Sequence, residues 1–141
     1  MRIVCISDTH SMHRQIQVPD GDLLIHAGDC LGVGTLDELE DLDRWFSELP
    51  HRNKILIAGN HDWCFQDEPA EAREIDSPTG IIRPGCEALA ERVASLTLKL
   101  HIFGHIHEDH GREQIGDCLY VNASTCNGRF KPLNPPIVID L

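Results

Sequence analysis

Residues 2–10 read RIVCISDTH. Arg2–Ile6 is apolar and rich in β-branched residues, and it ends abruptly in Ser7-Asp8-Thr9-His10. That is the pattern of a buried strand delivering a polar cluster at its carboxyl end. The construction recurs three times. Asp22–His26 (DLLIH) leads to Gly28-Asp29, Lys54–Ala58 (KILIA) to Gly59-Asn60-His61-Asp62, and Leu100–Phe103 (LHIF) to Gly104-His105-Ile106-His107. Leu119–Asn122 and Ile137–Asp140 read as two closing strands.

Between the strands lies helical periodicity. Leu36, Leu39, Leu42, Phe46 and Leu49 recur at helical spacing, Thr35 with Glu38 forms a capping box, and Pro50 stops the run, so Thr35–Leu49 is expected as a helix. Cys86–Leu98 is expected as a shorter helix with Leu89, Val93 and Leu96 on one face. Phe65–Gly85, rich in Asp, Glu and Pro, is expected as a loop or short helix over the site. The acidic run Asp37–Asp43 reads as the wet face of the first helix.

Strands alternating with helices indicate an α/β fold, in which ligands bind at loops beyond the carboxyl ends of the strands. Glycine before the polar residue, present in three of the four clusters, permits sharp turns and close approach to a ligand. The four clusters therefore need not be neighbours in sequence to meet in space. Together they offer carboxylate oxygen, imidazole nitrogen and amide oxygen, with no thiolate. That donor set suits Mn²⁺, Fe, Zn²⁺ or Ni²⁺ rather than a cysteine-bound structural zinc. Asp8 and His10, like His105 and His107, are two residues apart. In extended chain both members of a pair face one site; in a tight turn they reach two different ions. Two divalent ions about 3.5–4 Å apart are a recurrent device for phosphoester cleavage, lowering the pKa of a bridging water and stabilising charge on phosphate. A neighbouring acid then protonates the leaving oxygen. His61, beside Asn60, suits that role. His26 and His101, inside strands, read as core residues or as residues that orient ligands, and His13, His51 and His110 as solvated. Arg129 and Lys131 read as surface residues.

The chain has 141 residues and a formal net charge of −11. That length fits a single domain spanning 1–141, with a core that does not depend on disulfides. The acidic balance disfavours long nucleic acids and anionic membranes, although bound cations would reverse the field locally. The six cysteines are scattered without a CxxC pair and read as reduced thiols. Cys5 and Cys118, in apolar runs, read as small core residues. The first residues contain neither a signal-peptide core nor a cleavage site, and no run approaches a membrane span. The expectation is a cytoplasmic protein.

The four clusters together resemble the calcineurin-like metallophosphoesterase superfamily. LLIHAGD, ILIAGNHD, LHIFGHIHE, VNASTC and NPPIVIDL resemble, more closely, its metallophosphoesterase-domain-containing branch, which includes phosphodiesterases acting on cyclic nucleotides and related diesters. The likeness extends over nearly the whole chain. It implies a shortened αββα sandwich with a dinuclear site at the strand ends. By resemblance, Asp8, His10, Asp29 and His107 hold the first ion, Asp29 bridges, and Asn60 and His105 bind the second. His61 donates a proton and contacts the phosphate, so His61, Asp29 and Asn60 are the residues expected at the reacting phosphate.

One departure stands out. The family draws a further histidine for the second ion from a segment between GNHD and GHxH. Here no histidine lies between His61 and His101, and Asp76 occupies the best-matching position. Asp76 is thus a candidate replacement ligand, and the spacing suggests that a block of chain has been lost. A shortened sheet exposes an edge that another chain tends to cover, hence an expected homodimer. The overall expectation is hydrolysis of a small phosphoester, a diester such as a cyclic nucleotide. The competing expectation is a metal- or nucleotide-binding module without catalysis.

Overall fold

The structure, a computed structural model, describes residues 1–71 and 96–141. Strand β1 (Arg2–Ile6) is apolar from Ile3 to Ile6 because those residues are buried on both faces. Val4 and Ile6 point to one side, Ile3 and Cys5 to the other, as the period-2 alternation of a strand requires. β1 pairs in parallel with β2 (Leu23–His26), which pairs in parallel with β3 (Asn53–Leu56). A second sheet is built from β4 (Leu100–Phe103), β5 (Gly111–Ile115) and β6 (Cys118–Asn122), in the order β4-β6-β5, with β4 and β6 parallel and β5 antiparallel to β6. The final strand, β7 (Ile137–Asp140), returns antiparallel to β1, giving the first sheet the order β3-β2-β1-β7.

Helix α1 (Leu36–Glu48) covers one face of the first sheet. Its Leu39, Leu42, Trp45 and Phe46 pack with Val4, Ile6, Leu24 and Leu56. Both capping-box bonds between Thr35 and Glu38 are made, and Leu49, extended before Pro50, ends the helix. Along the acidic stretch Asp37 and Glu40 are exposed while Asp41 is half-buried, bonded to His13 and Arg14. On the other face, Ile3, Cys5 and Ile139 meet Val121 and Ala123 of the second sheet. A short helix, α2 (Cys64–Asp67), follows β3. The described residues thus form three layers of an α/β sandwich, helix on sheet on sheet. Asp76 and residues 86–95 of the second expected helix lie outside the described residues. The described end of that expectation, residues 96–98, is irregular chain. No described helix is long and apolar enough to cross a membrane.

One strand was not anticipated, and two readings are corrected. β5 gave no apolar signal, because it is an edge strand from which Arg112, Glu113 and Gln114 project into solvent. His13 and His51 are buried rather than solvated. His13 packs on the Trp45 ring at 4.8 Å and bonds Asp41; His51 Nε2 donates to the Pro19 carbonyl at 3.0 Å. The five described cysteines are free and buried. Burial pushes the Cys5 thiol up to about 12 and those of Cys64 and Cys126 up to about 11, so they are inert core atoms.

His26, at the end of β2, is fully buried, with Nε2 2.9 Å from Thr9 Oγ1. Desolvation pushes its pKa down to about 3, so the folded chain keeps it neutral where the unfolded chain protonates it. A depressed folded-state pKa gives stability that is present above the unfolded value of about 6.5 and lost as pH falls toward 3. Between about pH 7 and pH 5 this one residue is expected to remove about 2 kcal/mol of unfolding free energy. Urea titrations at both pH values, with His26→Gln alongside, measure it. Equal pH slopes in the two proteins would refute the assignment.

Candidate metal centre

The parallel strands β1, β2 and β3 end on one edge, and hydrogen bonds beyond the strands hold their loops together. Asp8 N donates to Gly28 O (2.9 Å), His10 N to Asp29 O (3.2 Å) and Ser11 N to Cys30 O (2.9 Å), so the first two loops run side by side. At the same point β1 is stitched to the extension of β6. Ser7 N donates to Ala123 O (3.0 Å), Thr125 N to Ser7 O (2.8 Å), and Ala123 N to Phe103 O (2.8 Å) at the end of β4. The corner where the two sheets join is therefore where the loops after β1, β2 and β4 meet. Asp8, His10, Asp29 and His105 all have left-handed backbones there, with φ of 52°, 42°, 50° and 74°. For non-glycine residues such conformations cost free energy and persist only where surrounding bonds enforce them.

Asp8 is buried, and its carboxylate is surrounded by donors. Oδ2 accepts from Ser7 Oγ (2.5 Å) and Ser124 Oγ (2.9 Å), and both oxygens accept from His105 N (2.8 and 2.9 Å). Oδ1 lies 3.2 Å from His107 Nε2, which lies 3.3 Å from His10 Nε2. His107 Nδ1 donates to the Asn127 carbonyl at 3.2 Å, which orients the ring with Nε2 toward the Asp8 carboxylate. Nε2 and the carboxylate thus present a nitrogen and an oxygen side by side, as ligands of a shared cation do. His10 supplies a further nitrogen, its pKa lowered first by burial and then by repulsion from His61. Ligand atoms of Asp8, His10 and His107 all lie within 4.8 Å of one another. Their chemistry fits a divalent ion with mixed nitrogen and oxygen ligands, and Asn127 plays the orienting part common behind metal-bound histidines.

Asp29, His10, His61, His105 and His107 share one cavity of about 160 Å³ with Phe130. Asp29 is buried. Its Oδ1 accepts from His61 N at 2.9 Å, and its Oδ2 lies 3.8 Å from Nδ1 of the exposed His105. His61 Nδ1 donates to Gly32 O at 2.9 Å, its ring meeting that of His10 edge-on at 4.6 Å. Asn60, by contrast, is exposed and lines a neighbouring cavity of about 590 Å³ with Trp63 and Phe65. Four of the seven expected ligands, His10, Asp29, His105 and His107, therefore line one cavity, Asp8 is buried against His105 and His107, Asn60 lines the neighbouring cavity, and Asp76 lies outside the described residues.

Sequence reasoning missed the groups that hold this arrangement. Ser7 and Ser124 fix Asp8. Asn122 donates to the carbonyls of Ile106 (2.7 Å) and Asp109 (2.9 Å), pinning the His105–His107 loop, and accepts from Ser124 N (3.1 Å). Buried Asp62 accepts from the amides of Gly59 (2.7 Å), Leu31 (2.8 Å) and Cys30 (3.3 Å), tying the loops after β2 and β3 together. The signal was present: VNASTC is a fifth apolar run that ends in polar residues.

Residues 1–139 match the calcineurin-like phosphoesterase superfamily domain. Metallophosphoesterase domain-containing protein 1 of Homo sapiens and of Mus musculus are each 29% identical over 230 residues, an overlap covering 99% of this chain and 71% of the relative. A UPF0046 protein of Caenorhabditis elegans is 25% identical over 215 residues, covering 98% of this chain and 74% of the relative. Since this chain has only 141 residues, roughly 90 of the 230 positions aligned with the human protein have no counterpart in it. That agrees with a block lost from the chain.

Proposed function

This chain belongs to the calcineurin-like phosphoesterase superfamily, and we propose that within it the reaction is hydrolysis of small phosphodiesters, cyclic nucleotides among them, at a dinuclear centre. Membership makes the chain a metal-dependent phosphoesterase; the diester and the second ion are the proposal. Asp8, His10 and His107 would hold the first ion, Asp29 would bridge, and His105 with Asn60 would hold the second, with Asp76 as a further candidate. An oxygen-rich second set favours Mn²⁺ or Fe. When bound, divalent ions supply Lewis acidity toward a phosphoryl oxygen and lower the pKa of the attacking water.

The chain's own groups do the rest. Asp8 and Asp29 are held by backbone amides and hydroxyls, so their carboxylates do not reorganise as charge develops. His61, with Nδ1 fixed on Gly32 O, presents Nε2 as the atom that carries a proton to the leaving oxygen. The single observation supporting the reading is the convergence of Asp8, His10 and His107, their ligand atoms within 4.8 Å, beside a cavity that also holds Asp29, His61 and His105. A second reading, a metal-binding module with weak or no catalysis, draws on Asn60 standing outside that cavity and on the absent histidine.

The test is turnover of bis-p-nitrophenyl phosphate by Mn²⁺-loaded protein. The wild type is expected to be active and to stop when EDTA is added. His61→Ala is expected to reduce kcat by about 100- to 1,000-fold with metal content unchanged. A loaded wild type that leaves the diester intact would defeat the diester reading in favour of the module, and His61→Ala turning over at the wild-type rate would remove His61 from the reaction.

A further inference from the structure

We infer that Phe130 is a specificity-determining residue of this cavity, the platform on which an aromatic part of the ester stacks. The inference rests on the phosphodiesterase reading and narrows its substrate to esters carrying a heteroaromatic base or aryl group. Phe130 belongs to none of the metal-ligand clusters, yet it lines the cavity with His10 and His107. Its ring stands edge-on to His107 at 4.8 Å and to His10 at 5.2 Å. It is nevertheless 53% exposed and contributes to neither apolar core. Core packing therefore does not account for a large apolar ring held at the rim of a polar cavity.

The ring is also held there against conformational preference. Phe130 has a left-handed backbone, φ 52°, which costs free energy for an aromatic residue. Asn127 enforces it. Phe130 N donates to Asn127 O (2.8 Å), Asn127 N donates to Lys131 O (2.9 Å), and Asn127 Oδ1 accepts from the amides of Arg129 (3.0 Å) and Lys131 (3.2 Å). The same Asn127 carbonyl orients the His107 ring. One residue thus fixes both a metal ligand and the ring beside it.

Chemistry on either side points to the ligand. Arg129 and Lys131 precede and follow Phe130 in the chain and are exposed, on a chain of net charge −11. An exposed aromatic ring with a cationic residue on either side of it in sequence suits a ligand that is both aromatic and anionic, as a nucleotide is. An alkyl phosphate would use the cations and leave the ring idle.

The experiment compares calorimetric affinities of Mn²⁺-loaded protein for adenosine 5′-monophosphate and ribose 5-phosphate, which differ by the base alone. The wild type is expected to favour the nucleotide by about 10-fold. Phe130→Leu, which keeps apolar volume without a π face, is expected to bring that ratio close to one, and Phe130→Tyr to retain it. A wild-type ratio near one, or an undiminished ratio in Phe130→Leu, overturns the inference. So does loss of Mn²⁺ binding in Phe130→Leu, which would assign the ring to shielding the metal cluster. If the nucleotide preference and its dependence on Phe130 hold while no diester is cleaved, the reaction falls and the platform stands; turnover with equal affinities removes the platform alone.

Discussion

Asp8→Asn is expected to weaken Mn²⁺ binding by at least about 100-fold and to reduce phosphoester hydrolysis at least as much, although the substitution changes almost no volume. The carboxylate is the anionic member of the cluster with His10 and His107, and even residues that merely orient a ligand cost about 10- to 100-fold in affinity when lost. The surroundings add a second penalty. Ser7 Oγ, Ser124 Oγ and His105 N all donate to Asp8. An amide brings one acceptor atom and one donor atom to a pocket lined by donors, so at least one buried donor loses its partner, at about 1–3 kcal/mol. The variant should therefore be less stable than the wild type even in EDTA. Calorimetric Mn²⁺ titration and urea unfolding in EDTA separate the two effects. Wild-type Mn²⁺ affinity in Asp8→Asn would refute the placement of the metal, and unchanged stability in EDTA would refute the account of the donors.

What the sequence revealed and what it hid follow the range of the interactions. RIVCI declared itself because both faces of β1 are buried, and α1 because Thr35 and Glu38 make both capping bonds three residues apart. Those are local facts. The clusters after β1, β2 and β4 were also legible, since a polar burst after an apolar run has few purely structural uses. The contacts that assemble the site were not legible. Ser124 reaches Asp8 from 116 residues away, and spacing carries no record of that. Glu38 shows both situations. Its cap to Thr35 was readable, while its bonds to the amides of Gly32, Val33 and Gly34 and to Ser11 Oγ, which freeze the loop after β2, were not. His13 misled for the same reason: a histidine is read as wet when the carboxylate that satisfies it, Asp41, lies 28 residues on. Asn60 differs again. Its motif was recognised, but it stands on the wall of the neighbouring cavity, where motif spacing alone does not put it.

Gly104→Ala is expected to be nearly as damaging to the metal site as Asp8→Asn, and it tests a different idea about glycine. The sequence suggested two uses for the glycines before the polar clusters, a sharp turn of the chain and close approach to a ligand. Gly28 does have the first use, with φ 102°. Gly104 does not have a positive φ, and its backbone conformation is open to alanine. What forbids a side chain is space: a Cβ would overlap the Asp8 carboxylate and the Ser7 side chain. The approach is that close because the next amide, His105 N, donates to both Asp8 oxygens, so the chain cannot retreat without giving up those bonds. One added methyl must then displace either Asp8 or the loop carrying His105 and His107. The expected result is a loss of about 1–3 kcal/mol from overpacking and of about 100-fold in Mn²⁺ affinity from misplaced ligands. Gly116→Ala is the matched control. Its φ is 58° and nothing lies within 4 Å of the point where its methyl would sit, so it should cost about 1 kcal/mol of conformational strain and leave Mn²⁺ affinity at the wild-type value. If both alanines lower stability alike and neither affects Mn²⁺, glycine serves only the turn in this fold, and the tight seating of Asp8 against the β4 loop is not what shapes the metal centre.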